Sequence, residues 1–164
     1  MPRQRIAITG ASGLIGGALS AFLRARGDEV IPLVRRPATA GELQWHPHAP
    51  LSPTALDGVD AVVHLAGAGV GDHRWTPAYK DLILRSRVDG TVTIATAVAQ
   101  CDHLVRLVSG SAIGFYGNRG DEFLDERSAP GTGFLAEVVR AWEAATAPAQ
   151  AAGMPVVMAR TGLV

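Results

Sequence analysis

One cysteine, one lysine and two tyrosines are all that this 164-residue chain has of three residue types that often carry chemistry. Cys101 has no partner for an internal disulfide, which fits a reducing cytosol and leads us to expect a cytoplasmic protein. Lys80 is the sole lysine, so every other permanent cation is an arginine. The formal net charge is zero, which removes the general electrostatic reason to expect nucleic acid or an anionic membrane as a partner. No apolar run reaches the length of a membrane span. The chain passes from Met-Pro-Arg straight into an apolar run, so no signal peptide is expected. No internal repeat or linker stands out. What is present is apolar: 48% of the residues, enough for one domain with a real core. A small-molecule partner is the expectation, and homo-oligomerisation is left open.

The stretch Ile6 to Gly16, IAITGASGLIG, organises the rest. A short apolar run ends in Thr9 and then in Gly10, Gly13 and Gly16. Leu14, Ile15, Ala18, Leu19, Phe22 and Leu23 follow at helical spacing. The pattern reads as strand, glycine turn, helix. One glycine allows the tight turn, one admits a pyrophosphate to the backbone, and one lets helix and strand pack closely. The helix N-terminus offers free N–H groups and a positive dipole end to phosphates, and Ser12 can add a hydroxyl. Gly27 reads as the end of this helix.

A second strand is expected over Glu29 to Val34. Pro32 within it should face a place where the next strand is short. About 20 residues past the glycines, where a dinucleotide fold contacts the adenosine ribose, stands Arg35 rather than an acid. An acid accepts from both ribose hydroxyls and selects NAD; an arginine pairs with a 2′-phosphate, so NADP is expected over NAD. Leu43-Gln44-Trp45 reads as a short third strand. His46 and His48 are read as loop residues, and no metal site is expected. Asp60 to Gly67, DAVVHLAG, is the next buried strand. The small residues Gly67, Ala68 and Gly69 at its end suit a cofactor passing close by. Thr76 and Pro77 start a long helix as N-cap and first residue, with Gly90 marking close packing on a strand. A fifth strand is expected over Leu104 to Val108, a long polar loop over Gly114 to Gly133, a helix over Phe134 to Ala147 and a sixth strand over Pro155 to Ala159. Alternating strands and helices with this fingerprint give an α/β fold. It is a doubly wound parallel (Rossmann) sheet with helices on both faces and strand order 3-2-1-4-5-6.

TGASGLIG, HLAG, Ser111 with a nearby FYG, and DERSAP together resemble the extended short-chain dehydrogenase/reductases, the nucleotide-sugar epimerase group. RWTPAYKDLILRSRVDGT and FLAEVVRAWEAA are similar to an atypical epimerase-like subfamily of that group. The resemblance implies that Gly10, Ser12, Gly13, Leu14, Ile15 and Gly16 hold the pyrophosphate, and that Arg35 and Arg36 hold the 2′-phosphate. It places Leu65 and Ala66 along the adenosine and ribose path, beside Gly67. Arg87 of the Ser-Arg pair would reach the cofactor, Ser111 would hydrogen-bond a substrate hydroxyl or carbonyl, and Leu163 would border the nicotinamide. It also implies a substrate-binding lobe of roughly a hundred residues or more after the cofactor domain, absent from residues 1–164. Such a truncated chain should leave a contiguous apolar patch open near the C-terminal edge of the sheet, above about 400 Å².

One departure bears on chemistry. The family's proton-transfer pair is a tyrosine with a lysine four residues on, yet Tyr79 is followed at that spacing by Ile83 and Tyr116 by Gly120. Hydride transfer to a carbonyl needs a proton donor. Ser111 and Tyr116 are the candidates, and Tyr116 needs a cation beside it, for which Arg87 is the nominee. Three readings follow: an NADP-dependent oxidoreductase or epimerase-like enzyme of unknown substrate, an NADP-sensing regulatory protein without turnover, and a structural domain with an empty cleft.

Overall fold

Apolar β-rich runs separated by amphipathic segments fold as the pattern requires. The computed structural model describes residues 2–52 and 54–162. Six parallel strands form one sheet: β1 (Arg5–Thr9), β2 (Glu29–Val34), β3 (Leu43–Gln44), β4 (Ala61–His64), β5 (Arg106–Ala112) and β6 (Val156–Thr161). Their order is β3-β2-β1-β4-β5-β6, so the sequence direction reverses between β1 and β4. Helix α1 (Leu14–Ala25) covers one face, and α2 (Pro77–Ala99), α3 (Phe134–Ala144) and α4 (Ala147–Ala151) lie on the other side. Among the described residues no helix is long and apolar enough to cross a membrane.

The local signals act as expected at several ends. Thr76 caps α2 by accepting from the Tyr79 N–H at 3.2 Å, with Pro77 in the first turn. Strand β3 begins opposite Leu33, one residue past Pro32. A Cβ on Gly90 would sit 3.4 Å from both the His64 and the Trp45 rings, so α2 packs tightly over the ends of β3 and β4.

Two strands end later than the pattern implied. Strand β5 starts at Arg106, leaving Leu104 exposed, and continues through Ser109, Gly110 and Ser111. Strand β6 takes in Arg160 and Thr161. Each extends the other: the pairs Ser111–Arg160 and Ala112–Thr161 hold two segments that hydrophobicity alone reads as loop. The long polar loop likewise opens with a 3-10 turn, Ile113–Tyr116.

The inward face of α1 is also a correction. Gly16, Ser20 and Leu23 are buried, while Leu14 is 75% exposed and Ile15 and Phe22 point outward. The close approach of Gly16 to the glycine turn sets the helix so that Gly16, Ser20 and Leu23, rather than Leu14 and Phe22, meet the sheet. On the same sheet face, the register row Ile8, Val63, Val108, Val157 runs outward from β1 to β6. Burial fades along it, from complete at Ile8 to 57% exposure at Val157. The isolated chain is therefore expected to bind hydrophobic dye and self-associate in sedimentation, and Phe22→Glu with Val157→Lys should reduce both. A dye-negative monomer before substitution would contradict this.

Candidate functional site

Strand β1 delivers Thr9 to the sheet's C-terminal edge, where its hydroxyl oxygen accepts the N–H groups of Leu65 (3.0 Å) and Ala66 (3.2 Å). With its oxygen so used, Thr9 gives its proton to Nδ1 of His64, 2.7 Å away. That fixes His64 as the Nε2–H tautomer, and Nε2 has no partner among the described residues. Burial lowers the His64 pKa to about 4. The folded state thus keeps His64 neutral while the unfolded chain takes up a proton below about 6.5. Stability from this group is complete above that pH and falls away between roughly 6.5 and 4, by about 3 kcal/mol. Urea unfolding of His64→Asn should show a flatter pH dependence than the parent across that window; parallel curves would rule the effect out.

The Thr9 bonds clamp the HLAG segment against the glycine turn and so form the floor of a cleft. Gly10 has φ +69°, and a Cβ there would meet the Leu65 carbonyl carbon at 3.1 Å and the Ala66 nitrogen at 3.2 Å. Gly13 is the N-cap of α1, with no side-chain cap and no acid in the first turn. Ser12, Gly13, Leu14 and Ile15 are exposed around that helix end, while Gly16 is buried beneath it. The donors of a helix N-terminus therefore face open space. The cleft holds about 850 Å³ and runs from Gly10 to Gly13, along Leu65 to Ala68, to the end of β2 at Arg35 and Arg36.

At that far end the two arginines differ. Arg36 is tied to Glu42 through both oxygens at 2.7 Å, and its guanidinium with the Thr39 bonds lowers the Glu42 pKa to about 2. Arg35 is exposed and has no hydrogen-bond or ion-pair partner among the described residues. An acid, Glu42, does stand beside these arginines, contrary to the simple sequence picture, but Arg36 pairs with it. Arg24, on the last turn of α1, lines the same cleft as Arg35 and was not picked out from sequence, since only packing brings it there.

Arg87 donates to the carbonyls of Ala68 (2.9 Å) and Ile83 (3.1 Å), and its guanidinium lies over the Trp142 ring at 5.1 Å. Its stem packs under Gly67, so it shapes the floor of the cleft. It is not the cation at Tyr116. That cation is Arg160 of β6, whose Nη1 donates to the Tyr116 hydroxyl at 3.0 Å. Arg160 also holds both oxygens of Glu143 on α3, at 2.7 and 2.9 Å, and stacks on the Phe115 ring at 3.5 Å. Ser111 donates to the same carboxylate at 2.6 Å. Burial pushes the Glu143 carboxyl up, but the bonds from Arg160 and Ser111 outweigh it and hold the group below its usual range. The fold thus brings Ser111 and Tyr116 into one network, through two residues that the sequence reading passed over. Arg160 was missed because the expected strand stopped at Ala159, and Glu143 because one acid on a helix carries no signal. Leu163 lies outside the described residues.

A parallel doubly wound sheet with a glycine turn at the reversal of strand order defines a Rossmann-type protein. More narrowly, the chain belongs to the NAD-dependent epimerase/dehydratase family, whose profile matches residues 6–164. An epimerase family protein of Mycobacterium bovis is 47% identical over 166 residues, covering all of this chain and 55% of the relative. The crystal structure of a nucleoside-diphosphate sugar epimerase from Corynebacterium glutamicum superimposes with a TM-score of 0.86 at 45% identity, over 97% of this chain and 34% of that one. The human epimerase family protein SDR39U1, crystallised with NADPH, gives 0.80 at 27% identity, over 96% and 53%. The chain thus spans about half the length of the curated relatives it matches.

Proposed function

We propose that this chain is the cofactor-binding half of an NADP-dependent oxidoreductase or epimerase-like enzyme acting on a small molecule. The cleft carries the reading: unsubstituted glycines at a helix N-terminus on one end and an unpaired Arg35 on the other. The residues fit the group, since the N-terminus of α1 is exposed, carries no side-chain cap and has no acid in its first turn. Gly10, Ser12, Gly13, Leu14, Ile15 and Gly16 would take the pyrophosphate, Leu65, Ala66 and Gly67 the adenosine side, and Arg35 the 2′-phosphate. A bound nicotinamide cofactor supplies hydride chemistry. The NADPH-bound human relative supports that cofactor class. Calorimetric titration is the test: NADPH should bind more tightly than NADH, and equal binding would remove the case for NADP.

A second reading, an NADP sensor without turnover, draws on one observation. Ser111 is only 2% exposed and its hydroxyl is committed to Glu143. NADPH oxidation by a panel of carbonyls separates the two readings.

A further inference from the structure

The network at the ends of β5 and β6 has its proton directions fixed by chemistry. A guanidinium can only donate and an ionised carboxylate can only accept. Ser111 therefore points its proton at Glu143 and presents only lone pairs elsewhere. The Tyr116 oxygen accepts from Arg160, so the Tyr116 proton points away from that guanidinium. No described residue accepts that proton, although Tyr116 is only 8% exposed. Tyr116 closes the turn that follows β5, at the C-terminal edge of the sheet where doubly wound folds bind their ligands, so its proton stands on the side a ligand would approach.

We propose that Tyr116 is the proton donor of this site, and that Arg160, pinned by Glu143 and Phe115, is the cation that positions it and receives the charge it leaves. The proposal rests on the oxidoreductase reading above. In the reductive direction a bound nicotinamide cofactor would supply the hydride, and the ligand oxygen that gains negative charge takes its proton from this chain. The Tyr116 O–H bond breaks and an O–H bond forms on that oxygen. The phenolate left behind faces a guanidinium 3.0 Å away. Oxidation of an alcohol runs the same proton back. Ser111, with its proton spent, accepts a hydrogen bond from a neighbouring ligand hydroxyl. A tyrosine–cation pair that no local spacing in the sequence provides is thus built across space: the phenol from the 3-10 turn, the cation from β6 and the clamp from α3. Arg160 is a positioning residue in this scheme and Tyr116 the catalytic one.

The test uses the protein expressed from its natural reading frame. Tetranitromethane nitrates tyrosine through its phenolate, and Tyr79 provides an internal reference. Tyr116 should be nitrated in the parent, at least tenfold more slowly in Arg160→Met, and at a largely restored rate in Arg160→Lys, with Tyr79 unchanged throughout. A Tyr116 rate indifferent to Arg160, faster without it, or nil in the parent overturns the proposal. In parallel, Tyr116→Phe should retain the parent's calorimetric affinity for NADPH while losing about 10²–10⁴-fold in NADPH oxidation by 4-nitrobenzaldehyde. Unchanged turnover in Tyr116→Phe, or no turnover by the parent, also overturns it. Failure of the parent to bind NADPH is a different result, and it overturns the cofactor reading itself.

Discussion

Arg35→Asp is expected to weaken NADPH binding about a hundredfold or more while leaving NADH within a few-fold of its original affinity. The expectation follows from the charge balance at the ribose end of the cleft. Arg36 and Glu42 cancel through their two-oxygen pair, which leaves the exposed Arg35 as the group with an unspent charge beside them. A hydrogen bond to a charged group contributes roughly 1.5–3 kcal/mol, and aspartate substitutes repulsion for that attraction. A total near 3 kcal/mol corresponds to about two orders of magnitude in affinity. NADH, which has no 2′-phosphate, loses only a distant charge. Arg36→Ala gives the complementary result: it frees Glu42 to repel the phosphate and should weaken NADPH as well. Calorimetry on both variants with both cofactors decides the matter. A Arg35→Asp protein that still prefers NADPH would move the phosphate contact elsewhere, with Arg24 first in line.

Gly16→Ala should be the most damaging single-methyl change in the glycine turn and α1. Its Cβ would fall 2.9 Å from the Ala11 Cα and closer still to the Gly10 carbonyl oxygen, all of it backbone. Backbone cannot rotate aside, so α1 would have to lift from the glycine turn. Overpacking of this kind costs about 1–3 kcal/mol and occasionally more. The displaced helix would also carry its N-terminal donors away from the pyrophosphate position, so NADPH affinity should fall with stability. Gly17→Ala is the control: the nearest atom to its Cβ is 3.8 Å away, and helix propensity favours alanine there. Thermal unfolding and NADPH titration of the pair test this, and equal behaviour of the two variants would refute the packing account.

Much of the fold could be read without coordinates, for a local reason. The glycine turn, the Thr76-Pro77 start of α2 and the alternation of strand and helix are written in adjacent residues, and adjacency is what a sequence reports. The likeness to the epimerase family rests on those same contiguous runs, and the family's profile matches residues 6–164. The misread features depend on packing that the apolar pattern does not report. The ends of β5 and β6 extend only because each supplies the other's hydrogen bonds. The buried face of α1 is chosen by Gly16 meeting Gly10, against the pull of its larger apolar residues.

The candidate site divides in the same way. The sequence by itself determined the glycine turn and placed Arg35 directly after β2, because both are set by spacing along one chain segment. It also determined that no tyrosine is followed four residues later by lysine. Only the tertiary structure decided which arginine serves which group. It tied Arg36 to Glu42, turned Arg87 toward Trp142, and set Arg160 against Tyr116 across 44 residues of chain. Charge pairing acts over a few ångströms of space and takes no account of sequence distance, so the pairing of these ions could be fixed only by the packing of β5, β6 and α3.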